Sequence, residues 1–191
     1  MGVSVPLSSS GGFNVSADYL TASEATVVPA KTSIVTPSVL FEVERSYIRD
    51  MNLQKTLNVS DVPGLSGRLQ VQIRSEEATA RGVAFKTDRI TAQTATWRGF
   101  VLDERTGPEI YDRFYAYAGP NPNQAPNTDD TLQIEGSDAG ATRPGDGDQA
   151  FELRGAKITT STLSADQIQL SDMSLRVRYD YNNDGEFEYG A

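Results

Sequence analysis

The stretch SLRVRYDYNNDGEFEYGA, Ser174 to Ala191, decides the fold class. Leu175, Val177, Tyr179 and Tyr181 alternate with Arg176, Arg178 and Asp180. A period of two is that of a β-strand with one face buried and the other wet. Asn182-Asn183-Asp184-Gly185 interrupts the run with residues that tolerate positive φ, as a hairpin turn requires, and Glu186 to Tyr189 resume the alternation. The chain therefore closes on a β-hairpin, and the upstream sequence reads as the rest of that sheet system.

The same turn also fits part of a calcium loop. Asp180, Asn182, Asp184 and Gly185 fall at positions 1, 3, 5 and 6 of the D-x-[DN]-x-[DN]-G pattern, and Phe187 gives the apolar position 8. Position 12 needs a bidentate Glu and is Ala191, and no helix-forming sequence flanks the loop. The plain hairpin is favoured. No cofactor is expected beyond a weak Ca²⁺ contact at Asp180, Asn182 and Asp184.

With 191 residues the chain fits one domain with a sizeable core. It has neither Cys nor His. That excludes disulfides, thiol nucleophiles, Ser-His-Asp machinery and the common zinc and copper sites. A net charge of -9 opposes binding to a polyanion, so no direct contact with nucleic acid is expected. Thirteen Arg stand against four Lys, and fifteen Asp against eleven Glu. An Asp-rich, Lys-poor surface stays soluble in concentrated salt, although a GC-rich genome accounts for the Arg equally well. No segment is apolar enough to span a bilayer, and Met1 to Gly12 lacks the positive charge of a secretory signal. Residues 1–12 read as a flexible Ser/Gly-rich arm, and 13–191 as a single β-domain.

Along the chain, short strands are expected at Phe13 to Leu20, at Ala25 to Val28 with Pro29 marking an edge, at Ser33 to Arg45 and at Thr56 to Ser60. Ser46 to Lys55, with Tyr47, Ile48 and Met51, has the spacing of a helical turn. The cleanest strand is Arg68 to Arg74, with Leu69, Val71 and Ile73 on one face, turned by Ser75-Glu76-Glu77. Strands at Val83 to Phe85 and Ile90 to Thr96 precede a second hairpin, Gly99 to Tyr117. Its aromatics Tyr111, Phe114, Tyr115 and Tyr117 lie near Trp97 and Phe100 in sequence. They read as core ahead of a stacking platform for sugars or bases. Gly119 to Gln149 is a Gly/Pro/Asp-rich loop excursion whose carboxylates read as solvated rather than as cation ligands. Strands return at Phe151 to Arg154 and Ala156 to Thr160, and a helical turn is expected at Ser164 to Gln169.

About ten short strands with little helix between them predict an all-β fold: a single antiparallel β-sandwich, with the strand count of a jelly roll and its edge strands. An enzyme would have to work with paired carboxylates, for which Glu42 with Glu44 and Glu186 with Glu188 are the same-face candidates. Alternating acids on the wet face of an acidic protein need no catalysis to explain them, so none is expected.

In organisation, from the arm through Gly12 and the β-domain to the excursion Gly119 to Gln149 and the closing strand pair, the chain resembles the small single-jelly-roll major capsid proteins of icosahedral internal-membrane viruses of halophilic archaea. The resemblance implies a virion protein, a capsid subunit that assembles in many copies with itself and other capsid proteins through arm, edge and loop contacts. It implies no catalysis and no cofactor. A membrane apposed to the capsid, but not spanned by it, would separate an acidic coat from the genome. The competing expectation is a carbohydrate- or ligand-binding β-sandwich, cation-assisted.

Overall fold

The computed structural model describes residues 12–33, 36–59, 66–104, 114–119, 149–187 and 189–190. Arm residues 1–11, excursion residues 120–148, Tyr111 and Glu188 lie outside the described residues. The strands are β1 (Phe13–Ala22), β2 (Ala25–Ser33), β3 (Thr36–Asn58), β4 (Arg68–Thr91), β5 (Thr94–Trp97), β6 (Val101–Glu104), β7 (Phe114–Ala118), β8 (Phe151–Ser164), β9 (Gln167–Ser171), β10 (Ser174–Asp180) and β11 (Tyr189–Gly190). Among the described residues there is no helix.

All ladders are antiparallel and belong to one sheet, ordered β11-β10-β4-β8-β1-β3-β2-β7-β6, with β5 on β8 and β9 on β4. Because β3 also pairs with β4, the ladders β1–β3, β3–β4, β4–β8 and β8–β1 close a ring. Hydrogen bonding thus runs through one continuous sheet that curls around its own apolar face. The all-β antiparallel expectation holds; a jelly-roll connectivity is not established by this strand order.

The centre of the fold is the β3–β4 hairpin, whose strands are 23 and 24 residues long. Their register is continuous from Val39↔Thr87 to Asn58↔Arg68. Yet the buried side switches twice along it. On β3 the core takes Phe41 and Val43, then Ile48, then Met51; on β4 it takes Phe85 and Val83, then Ala80 and Ala78, with Ile73 packed against it. Strict alternation cannot join these sets, so each strand must change phase at two levels. One level carries Gly82 at φ 57, opposite Glu44. The other carries Asp50 at φ 53, opposite Glu76. A left-handed residue turns the pleat over, and Gly and Asp are among the types that adopt it at least cost.

The Asp50 level crosses the sheet. Asp18 on β1 lies opposite Asp50, between Ser16↔Asn52 and Tyr19↔Arg49. Gly155 on β8, at φ 59, lies opposite Asp18, and Asp172, at φ 50 between β9 and β10, lies opposite Glu76. The buried set changes phase there too, from Ala17 to Leu20 on β1 and from Leu153 to Ala156 on β8. These aligned creases let long strands wrap tightly enough to close the ring.

The creases account for three departures from the sequence expectations. Ser46 to Lys55 is strand, not a helical turn; the Ile48-to-Met51 interval of three arises because Asp50 takes one residue out of the alternation. Ser75-Glu76-Glu77 does not turn the chain but continues β4, where the Ser75 hydroxyl donates to the Ser171 carbonyl at 2.6 Å. Ser164 to Gln169 leads through a short turn into β9, with the Asp166 amide donating to the Arg81 carbonyl at 3.0 Å. Pro29 is tolerated because the β2–β7 ladder stops at Val27, leaving the proline's side of β2 without a partner strand among the described residues.

Inside the ring, Phe41 stacks on Phe85 with centroids 5.0 Å apart and meets Phe151 at 5.1 Å. Thr160 and Thr87 are buried as well, their hydroxyls donating to the Lys86 carbonyl at 2.6 Å and the Thr159 carbonyl at 2.7 Å. These bonds satisfy polar groups at the register shifts of the β4–β8 ladder.

Candidate functional site

The closing hairpin forms as expected, with Tyr179↔Tyr189 and Arg178↔Gly190 paired, but only Tyr189 and Gly190 are ladder residues on the return side. Side chains build the wide turn between them. Asn182 Oδ1 accepts from the Asp184 amide at 3.1 Å, Asn182 Nδ2 donates to Asp184 Oδ2 at 2.8 Å, and Asp184 Oδ1 accepts from the Glu186 amide at 2.7 Å. Such short-range bonds are how Asx residues substitute for a backbone turn. Asp180 is fully buried at the base, its Oδ2 accepting from Arg68 Nη2 at 2.8 Å and the Gly185 amide at 3.1 Å.

The three proposed cation ligands thus share one turn, with Asp180 Oδ2, Asn182 Oδ1 and both Asp184 oxygens engaged by donors of the chain, a guanidinium against the buried carboxylate, and only Asp180 Oδ1 left without a hydrogen-bond partner among the described residues. Burial pushes the Asp180 carboxyl up, but the Gly185 amide, the Arg68 guanidinium and the Asn183 amide outweigh it and hold the group below its ordinary value. Among the described residues no three carboxylates converge as a metal cluster.

Trp97 packs edge-on against Phe151 at 4.5 Å and against Phe100 at 5.3 Å, and Tyr117 is buried with its hydroxyl donating to Glu24 Oε1 at 3.3 Å. Trp97 and Tyr117 therefore serve packing rather than an open stacking platform; Tyr111 lies outside the described residues. Of the paired acids, Glu44 is buried beside Arg45, with Oε1 3.9 Å from Nε. Burial pushes the Glu42 carboxyl up, and burial and then the Glu44 charge push Glu24 up. Glu186 is exposed, and its partner Glu188 is outside the described residues.

The unexpected surface lies on β10. Leu53, Ile73 and Leu175 are successive register partners across β3, β4 and β10 and so share one face. That face is half-buried at Leu53 and Ile73 but open at Leu175, which is 59% exposed, and at Val177, which is 44% exposed. The alternation in Ser174 to Tyr181 had predicted this face to be buried. It is not, because the curl that covers the ring interior does not reach β10. Met173 and Ile168 extend the exposed apolar area, and β11 pairs with β10 only at Arg178 and Tyr179. Among the described residues the edge from Ser174 to Val177 is therefore without a strand partner.

A second region has no local sequence signal. Asn14, Asn52, Gln54, Thr91, Lys157 and Thr159 line a shallow groove of about 490 Å³ on the outer face of β1, β3, β4 and β8. Its residues come from four separate strands and meet only through register, so no spacing announces them. No family model, no curated protein and no solved structure matches this chain.

Proposed function

We propose that this protein is a structural subunit of a virion, assembling in many copies with itself and with other capsid proteins. The supporting observation is the apolar face of β10. Leu175 and Val177 stand exposed beside a strand edge that is open among the described residues, in a segment whose alternation is that of a half-buried strand. Burying a Leu or a Val contributes roughly 1.5–3 kcal/mol, and an open edge offers backbone donors and acceptors to an added strand. A neighbouring subunit supplies both. The arm and the excursion Gly119 to Gln149 provide further contacts in this scheme, and an apposed membrane keeps the acidic coat from the genome.

Assembly needs salt. The carboxylates of Asp18, Asp50, Glu76 and Asp172 fall on one level across adjacent strands and are exposed. Like charges on neighbouring strands repel, and that repulsion is screened over about 3 Å at 1 M salt against about 10 Å at 0.1 M. Sedimentation velocity at high and low ionic strength tests the proposal. Large assemblies at high salt, reduced to monomer by Leu175→Glu with unchanged circular dichroism, are expected; a monomer under every condition overturns it.

The competing carbohydrate- or ligand-binding function would use the groove of Asn14, Asn52, Gln54 and Thr159, whose amides and hydroxyls suit sugar hydroxyls, rather than Trp97. Saturable glycan binding by a strict monomer, lost on Gln54→Ala, would favour it.

A further inference from the structure

The interior of the ring is not filled. A cavity of about 570 Å³ lies within it, walled by all four ring strands. Leu20, Ile48, Val83, Leu153 and Ile158 are among its walls, and the Phe41–Phe85 stack borders it. It follows the coiled hairpin from that stack to Leu53 and Val15. Protein interiors are otherwise packed nearly as densely as organic crystals, and an apolar void of this size forfeits dispersion contacts over its whole wall. Cavities lined this way stay dry and take up apolar molecules, and the volume lies within the range of small-molecule sites.

One end is open. Ser164, Asp166, Gln167 and Ile168, at the turn from β8 to β9, line the cavity and are exposed. Gly82 makes room for this turn: a Cβ there would lie 2.1 Å from Asp166 Oδ2, so a side chain at this position would displace the carboxylate from the rim. The rim thus offers a hydroxyl, an amide and a carboxylate, and among the described residues lining the cavity Asp166 alone is charged.

We propose that the ring interior binds one single-chain aliphatic amphiphile, its tail along the Leu20–Ile48–Val83 wall and an uncharged or cationic head at Ser164, Asp166 and Gln167. A mainly apolar wall, interrupted inside only by the hydroxyls of Ser46 and Thr160, of which Thr160 is already bonded to the Lys86 carbonyl, with its other polar groups at the mouth, matches a linear tail and a small head. The rim carboxylate disfavours an anionic head by direct repulsion. The lining meets the exposed apolar area at Ile168 on the rim, but Leu175 and Val177 are not part of it, and the site does not depend on the assembly proposal.

The test uses full-length protein, the fluorescent probe N-phenyl-1-naphthylamine, and dodecan-1-ol as competitor. Saturable probe uptake at one molecule per chain is expected, with displacement by dodecan-1-ol and at least tenfold weaker displacement by dodecanoate. Ala165→Trp, at the half-buried rim, should weaken both probe and alcohol at least tenfold, and Asp166→Asn should narrow the gap between alcohol and carboxylate. Should Ala165→Trp fail to fold, dodecan-1-ol must still raise the thermal midpoint of the unaltered protein. Leu175→Glu separates the cavity from the outer apolar face and should leave probe binding unchanged. Non-saturable uptake, uptake abolished by Leu175→Glu, or a folded Ala165→Trp protein that binds as the parent does would each overturn the proposal.

Discussion

Arg68 and Asp180 are register partners across the β4–β10 ladder and are joined by a 2.8 Å bond from Nη2 to Oδ2 at the point where the closing turn begins. Asp180 is fully buried and Arg68 is 37% exposed, so the pair ties the wide turn to the longest strand from inside the protein. The net lowering of the Asp180 carboxyl sets a pH window. A carboxylate whose folded value is depressed contributes stability above its unfolded value of 3.8, and that contribution is lost as pH falls through the lower folded value. Asp180→Asn should therefore be less stable than the parent at neutral pH, the difference shrinking in acid below about pH 3.8. Thermal melts at pH 7, 4 and 2.5 measure this, and a constant difference would contradict it. Since the turn is held by Arg68 and by its own amides, EDTA should leave the pH 7 midpoint unchanged.

Asp50 should respond to substitution according to backbone geometry alone. It holds φ 53 at an exposed crease, with its carboxylate 3.7 Å from Arg49 in an ion pair of little energetic weight. Asp50→Gly should be neutral to stabilising by about 0.5–1 kcal/mol, and Asp50→Val destabilising by about 1–2 kcal/mol. Urea denaturation of the two variants checks the order. Equal stabilities would show that the positive φ carries no strain.

Phe151 is 2% exposed, and Phe41 and Trp97 both rest on it. Phe151→Ala should cost about 3–5 kcal/mol. Trp97 is the one tryptophan of the chain, so its emission should shift to the red in the folded variant as the covering ring is lost. Urea midpoints together with native-state spectra test both effects.

Glu42 runs opposite to Asp180. Burial raises its carboxyl above 4.5, and Oε2 has no hydrogen-bond partner among the described residues. A carboxyl with a raised folded value contributes most below its unfolded value, and the contribution is lost as pH rises through the folded value. Glu42→Gln should therefore raise the thermal midpoint at pH 7, with the gain vanishing below about pH 4.5. A midpoint lowered at pH 7 would reveal that the charge serves a contact.

How much of this was legible in the sequence depends on the range over which each feature is specified. The closing hairpin was legible because its turn is written in neighbouring residues: Asn182, Asp184 and Gly185 bond within a few positions of one another. The all-β class was legible because period-two alternation is a local property, as in Arg68 to Arg74 and Phe151 to Arg154. The absence of Cys and His excluded whole chemistries before any fold was known.

Only the tertiary structure decided how the panels join. Asp50 and Gly82 each flip the alternation, and a flip inside a continuous strand looks in sequence like a turn or a short helix. Its meaning appears only when Asp18, Gly155, Glu76 and Asp172 prove to lie on the same level across the sheet. Closure of the ring, the cavity it encloses and the groove of Asn14 and Gln54 follow from register between residues far apart in the chain, 145 positions at Asn14↔Thr159. The fate of Leu175 and Val177 was decided there as well. Alternation states that a strand has an apolar face; whether the chain itself covers that face depends on how far the sheet curls, and here the curl ends before β10.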